Sequence, residues 1–235
     1  MSVFGLWARR CRKWVLLILL GMAAAEAALF IWAMSRSLDG EPEQIFSDSH
    51  IELAGLAAFT ALTYALSVAG ADNGSRYTLR RLAMTERKAF FCRAAHNALC
   101  CFLFWSAQLA VALGLFLIWK RAYPALWGRQ TLLLAFYRQP FLHGLLPFDA
   151  WYVYARNVLW CAVIGCITAG RRASRNFETW LFLMLGIYFP EKAGAGAGWP
   201  IFLSLIALTI VVPAVLRRTE PDEDEEGGEA DGARA

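Results

Sequence analysis

Five stretches of this chain run for 18 to 21 residues with at most one charged side chain each. They are Trp14–Met34, Ile51–Gly70, Leu99–Trp119, Trp151–Ala169 and Trp199–Leu216. A helix rises about 1.5 Å per residue, so about 20 apolar residues match a hydrocarbon core of about 30 Å. The pattern predicts an all-α fold, a polytopic membrane helix bundle. Phe177–Phe189 is a sixth apolar run of 13 residues, about 20 Å of helix. It reads either as a short or tilted span or as a helix that enters and leaves on one side. If it spans, there are six transmembrane helices and the two termini share a side.

Composition agrees with this reading. The chain of 235 residues is 58% hydrophobic and 18% charged, against about 45–50% and about 25% in ordinary soluble domains. Those figures exclude a disordered chain, a soluble α/β enzyme and a disulfide-stapled secreted domain. Six cysteines occur without a C-x-x-C pair, and His50, His96 and His143 are far apart. Metal-binding spacing is therefore absent.

Charge separates the chain into parts. The first 218 residues hold 22 of the 23 bases and 11 of the 19 acids. The tail, residues 219–235, is acidic and rich in glycine, too poor in apolar surface to order itself. The basic residues of the body lie between apolar runs, the pattern of membrane topology and not of nucleic-acid binding. With the N-terminus in the cytoplasm, 16 bases fall on the inner side, in clusters around Arg9–Lys13, Arg76–Arg93, Arg171–Arg175 and Arg217–Arg234. Six fall outside: Arg36, Lys120, Arg121, Arg129, Arg138 and Lys192. This bias predicts six spans with N- and C-termini inside, and with the short loops it suits a multi-pass protein of the bacterial cytoplasmic (inner) membrane.

Three regions follow. Residues 1–13 read as an amphipathic cytoplasmic entry helix, with Phe4, Leu6 and Trp7 beside Arg9, Arg10 and Arg12, lying on the membrane surface. Residues 14–218 form the transmembrane domain, with spans at about 14–34, 51–70, 99–119, 151–169, 177–189 and 199–216. A rival span, Thr131–Phe148, would bury Arg138, Gln139, Pro140 and His143. Mid-membrane Arg costs at least about 2.5 kcal/mol on insertion scales. Lys120–Ala150 therefore reads as an outer loop whose apolar stretches lie at the interface or cap the bundle.

The chemistry-bearing residues are few. There is no G-x-x-x-x-G-K-[ST] loop, no G-x-S-x-G elbow and no H-E-x-x-H helix, so neither nucleotide hydrolysis nor a hydrolase site is encoded. No catalytic residue and no cofactor or metal site is expected in this chain. Glu26 lies near the middle of the first span. It reads either as a contact for a cation, proton or substrate, or as an acid hydrogen-bonded to a neighbouring helix at Gln108 or Thr63. Arg156, five residues in from Trp151, has the reach to snorkel to the outer surface. Glu26, Gln108, Arg156 and Asn157 are the candidates for a translocation path.

The inner loop Ala71–Ala98 is the most distinctive stretch. Asp72–Ser75 is a turn, and a helical pattern starts at Tyr77 with Leu79, Leu82 and Met84 interleaved with Arg80 and Arg81. Thr85 and Glu86 suit the cap of a second helix that runs into the third span. The stretch presents either a surface for a cytoplasmic partner or a basic helix that only holds lipid headgroups.

The basic entry helix, six spans with both ends inside and the stretch YTLRRLAMTERKAFFCRAAHN (Tyr77–Asn97) together resemble ABC-2 type permeases, the membrane subunits of ABC exporters. The resemblance covers Met1 to Arg218. It implies that Tyr77, Leu79, Arg80, Arg81, Leu82, Met84 and Glu86 form a coupling loop docked on a separate ABC ATPase subunit. ATP would be held in that partner and not in this chain. It also implies a unit of two membrane halves, a homodimer or a pair with a related permease, surrounded by membrane lipids. The chain departs from many family members in placing its long outer loop after span three and in its short fifth span. Two other readings stand beside this one: a non-transporting integral membrane interaction or immunity protein, and an intramembrane enzyme or substrate-capture transporter subunit, the enzyme requiring that Glu26, Gln108, Asn157 and His143 meet around a cavity.

Overall fold

The computed structural model describes residues 3–37, 40–71, 85–128, 131–146 and 151–169. The helices are α1 (Val3–Arg36), α2 (Pro42–Asp48), α3 (Ile51–Ala71), α4 (Glu86–Ala122), α5 (Thr131–Arg138), α6 (Pro140–Leu145) and α7 (Trp151–Ala169), with a 3-10 turn at Pro124–Leu126. Among the described residues every regular element is a helix. Three stretches are long and apolar enough to cross a membrane: Cys11–Arg36, Ile51–Ala69 and Arg87–Ala122. Tyr154–Ala169 is a shorter apolar helix. The expected spans at 177–189 and 199–216, the acidic tail and the coupling residues Tyr77 to Met84 lie outside the described residues.

Helix boundaries follow local chemistry. Pro42 and Pro140 each occupy a first helical turn, where a missing N–H costs nothing. Pro140 also forces the preceding residue out of the helical region: Gln139 is extended, with φ −88° and ψ 115°. Its side chain then accepts from the Leu142 N–H at 2.8 Å and caps α6. Thr85 is extended (φ −65°, ψ 146°) and accepts from the Lys88 N–H, the N-cap expected from the sequence. α1 passes residue 13 without a break, so the basic entry segment is the first part of one 34-residue helix and not a separate element.

The helices pack in two apolar layers. In the layer nearest the start of α1, Cys11, Val15 and Met22 meet Leu62 and Leu66 of α3, Cys100, Cys101 and Phe104 of α4, and Ile164 of α7. In the distal layer, Phe30 and Ala33 meet Ile45 and Phe46 of α2, Ile51 of α3, and Leu115, Phe116 and Trp119 of α4. α1 and α4 therefore run one way, and α3 and α7 the other.

The stretch expected as an outer loop is part of this distal layer. Ala135, Phe136, Leu142 and Leu145 are buried in the same cluster as Phe30, Leu115 and Phe116. α5 and α6 thus cap the bundle from within the depth of α4. Arg138 stays outside that core: it is exposed and pairs with Glu43 of α2 at 3.4 Å. Two short helices broken at Gln139 bury the apolar side chains and leave the charge at the rim, which one continuous helix could not do.

Candidate functional site

Glu26 and Gln108 come together. Each is nearly solvent-free, at 1% and 5% exposure, and Gln108 Nε2 donates to Glu26 Oε1 at 3.1 Å. A buried polar group is costly without a partner, and far more so in lipid, where water supplies none. Of the two partners the sequence offers, the structure selects Gln108. Thr63 turns to its own helix and donates to the carbonyls of Phe59 and Thr60.

Gly55 of α3 completes the node. A Cβ at Gly55 would run into the Gln108 amide. The absent side chain is what lets Gln108 lie against α3 while it reaches α1, so three helices meet at one polar point. Gly55 is not among the candidate residues, and its one signal in the sequence is that a lone glycine inside an apolar helical run marks close approach.

Arg156 and Asn157 form a second set. Arg156 Nε donates to Asn157 Oδ1 at 3.3 Å, and Asn157 Nδ2 donates to the Gly144 carbonyl of α6 at 3.1 Å. The register of α7 on α4 is fixed by Gly165 against Ala94 and Ala98, and by Tyr154 against Trp105 with ring centroids 6.3 Å apart. That register sets Arg156 opposite the Phe104–Trp105 turn of α4. The four path candidates form two hydrogen-bonded sets, Glu26 with Gln108, and Arg156 with Asn157, which is itself tied to α6. His143 lies half-buried on α6, edge-on to Tyr137 at 5.8 Å.

A third polar group, absent from the candidates, joins α4 to α7. Arg93 Nη1 donates to the carbonyl of Ala169, the last residue of α7, at 3.1 Å. Asn97 Nδ2 donates to Thr168 Oγ1 at 2.9 Å, and Thr168 Oγ1 donates to the Ile164 carbonyl at 2.7 Å. All three side chains are buried. A guanidinium at a helix C-terminus meets the negative end of the helix dipole.

Among the described residues no group of three His, Cys, Asp or Glu side chains is placed to hold a metal ion. Of the coupling-loop residues only Glu86 is described, as the first residue of α4. Comparison with protein-family models, with curated proteins and with solved structures finds no match to the chain.

Proposed function

We propose that this chain is the permease subunit of an ATP-driven exporter of the ABC-2 type, working in a bacterial cytoplasmic membrane with both termini inside. The observation that carries the reading is the build of α4. Its 37 residues make a helix of about 55 Å, well beyond a hydrocarbon core of about 30 Å. The excess is at its start, where Glu86 to Ala98 precede the apolar run Leu99–Trp119. A stiff arm, capped by Thr85, thus continues a membrane span toward the basic loop Tyr77–Met84. In this reading a separate ATPase subunit grips that loop, and its ATP-driven closure moves α4 and rocks the bundle. The nucleotide stays in the partner, which agrees with the missing P-loop in this sequence. The excess of bases on the inner side supports the orientation, and the resemblance noted above supports the class.

Affinity purification of the tagged chain from its native membrane in mild detergent, with mass spectrometry of what accompanies it, tests the proposal. A stoichiometric P-loop ATPase is the expected result. Asp at Leu79, Leu82 or Met84 is then expected to uncouple that ATPase while the bundle stays folded. A chain that purifies alone, with no ATPase activity, overturns the reading.

One observation favours a second reading, that of a non-transporting membrane interaction protein. Glu26 is satisfied by Gln108 and closed off from solvent, as a structural clasp would be. On that reading Glu26→Gln is silent in any assay of the complex and no ATPase accompanies the chain.

A further inference from the structure

We propose that Arg93 and Asn97 lock α4 and α7 into one rigid unit, and that this unit moves as a body against α1 and α3. Three adjoining contacts carry the inference. Arg93, only 7% exposed, holds the Ala169 carbonyl at 3.1 Å. One turn on, Asn97 holds Thr168 Oγ1 at 2.9 Å, and that oxygen is itself anchored on the Ile164 carbonyl. Between them the helix backbones touch: a Cβ at Gly165 would lie 2.6 Å from the Ala94 carbonyl oxygen and 2.8 Å from the Ala98 nitrogen. Phe90 and Ala94 close over Ala169 at the end of the pair. Directed hydrogen bonds fix the register of two helices, and backbone contact across a glycine removes the side chains that would let them slide.

The remaining contacts of α4 differ in kind along its length. At the same end of the bundle, α1 and α3 meet it through the apolar side chains Val15, Met22, Leu62 and Leu66, contacts that are non-directional. At the distal end, Trp119 Nε1 donates to the Gly40 carbonyl at 2.7 Å and the Tyr123 hydroxyl donates to the Met34 carbonyl at 3.4 Å. Midway, Gln108 Nε2 donates to Glu26 Oε1 of α1 at 3.1 Å, so α4 is tied to α1 from its middle to its distal end, and to α7 at its start. A displacement applied at Thr85 turns the start of α4 about these ties to α1 and takes α7 with it. Arg93 and Asn97 are positioning residues in this arrangement. What pushes α4 belongs to the permease reading. The lock itself stands without it.

The test is pulsed electron paramagnetic resonance on the full chain in phospholipid nanodiscs. Nitroxides are carried on unnatural side chains, so the native cysteines remain. One label pair, at Phe91 and Val158, spans α4 and α7. A second, at Lys13 and Phe91, spans α1 and α4. All three positions are exposed. The first pair is expected to give a single narrow distance and the second a distribution at least twofold wider. Thr168→Val is expected to widen the first at least twofold, and Thr168→Ser, which keeps the hydroxyl, to restore it. A wild-type α4–α7 distribution as wide as the α1–α4 one overturns the proposal whether or not the variants fold, and so does an unchanged width in a folded Thr168→Val chain. Absence of an ATPase on purification sinks the permease reading and leaves this result standing.

Discussion

The amide of Gln108 and the carboxyl of Glu26 sit 3.1 Å apart where α1 and α4 cross α3, and each is the other's means of being buried. Interhelical hydrogen bonds of this kind contribute about 0.6–2 kcal/mol in membranes. Gln108→Leu removes the donor and leaves the acid among apolar neighbours, with an expected loss of about 1–2 kcal/mol. Glu26→Gln keeps an acceptor oxygen for the same donor, and its effect is expected to stay below about 0.5 kcal/mol. Reversible unfolding in mixed micelles, followed by circular dichroism, distinguishes the two. Equal losses would mean that the pair contributes through charge and not through the hydrogen bond.

Glycines divide by what a methyl group would meet. At Gly165 the obstacle is the backbone of α4, which cannot swing aside. Gly165→Ala is therefore expected to cost about 1–3 kcal/mol by overpacking. At Gly21 and Gly114 nothing lies within 4 Å, and Ala is expected to be neutral or to gain up to about 1 kcal/mol from helix propensity. Gly55→Ala falls between, because its obstacle is the Gln108 side chain. In a double-mutant cycle its cost is expected to shrink when Gln108 is already Ala. An additive cycle would remove Gly55 from the polar node.

The apolar runs made four of the helices legible, α1, α3, α4 and α7, because length and the lack of charge are one-dimensional properties. The Thr85 cap was legible for the same reason: a hydroxyl next to a helical pattern is a local signal. Glu26 stands out as an acid in an apolar run, and Gln108 and Thr63 are the partners the sequence offers it. What remained hidden depends on three-dimensional register. Asn97 and Thr168 are 71 residues apart, and only the packing of α4 on α7 brings them into contact. Gly55 and Gly165 look alike in sequence with Gly21 and Gly114, and neighbours on other helices decide which are obligatory. The apolar stretches before α7 are legible as a cap on the bundle, and the burial of Phe136 and Leu142 beside Phe30 and Phe116 is that cap. Splitting at Pro140 lets Phe136 and Leu142 go in while Arg138 stays out.

Trp119 is fully buried, and its indole N–H reaches the Gly40 carbonyl at 2.7 Å. Gly40 has φ +70°, and a Cβ there would press on the Tyr123 ring at 2.8 Å. Trp119→Phe preserves an aromatic ring against Phe116 but leaves a carbonyl without its donor. It is expected to cost about 1–3 kcal/mol. Gly40→Ala is expected to cost at least as much, through both the left-handed backbone and the ring contact. Thermal unfolding in nanodiscs measures both, and a silent Gly40→Ala would contradict the distal tie.

His50 links α2 to α3 with φ +50°, a left-handed conformation that favours glycine. Its imidazole is exposed and 3.8 Å from the Glu52 carboxyl, a contact worth little at the surface. Relief of the backbone should therefore outweigh loss of the side chain. His50→Gly is expected to raise stability by about 1 kcal/mol, and His50→Val, branched at Cβ, to lower it. A stabilised His50→Val would show that the turn relaxes in solution.

Thr85 stands at the foot of the arm that the proposed function requires. Its hydroxyl accepts from the Lys88 N–H and its carbonyl from the Ala89 N–H at 3.1 Å. Thr85→Ala removes the first of these and is expected to cost about 1 kcal/mol locally. The rest of α4 is held by α7 from Phe90 onward, so the loss is expected to stay in the first turn. Amide hydrogen exchange is predicted to accelerate by about fivefold at residues 86–89, which is about 1 kcal/mol of local opening, and to remain unchanged at 97–101. Thr85→Ser and Thr85→Asp, which also cap, are expected to retain wild-type protection. Acceleration that spread through 97–101 would mean that α4 is held by its cap and not by its clasp with α7, and α4 would then be too soft to act as a lever.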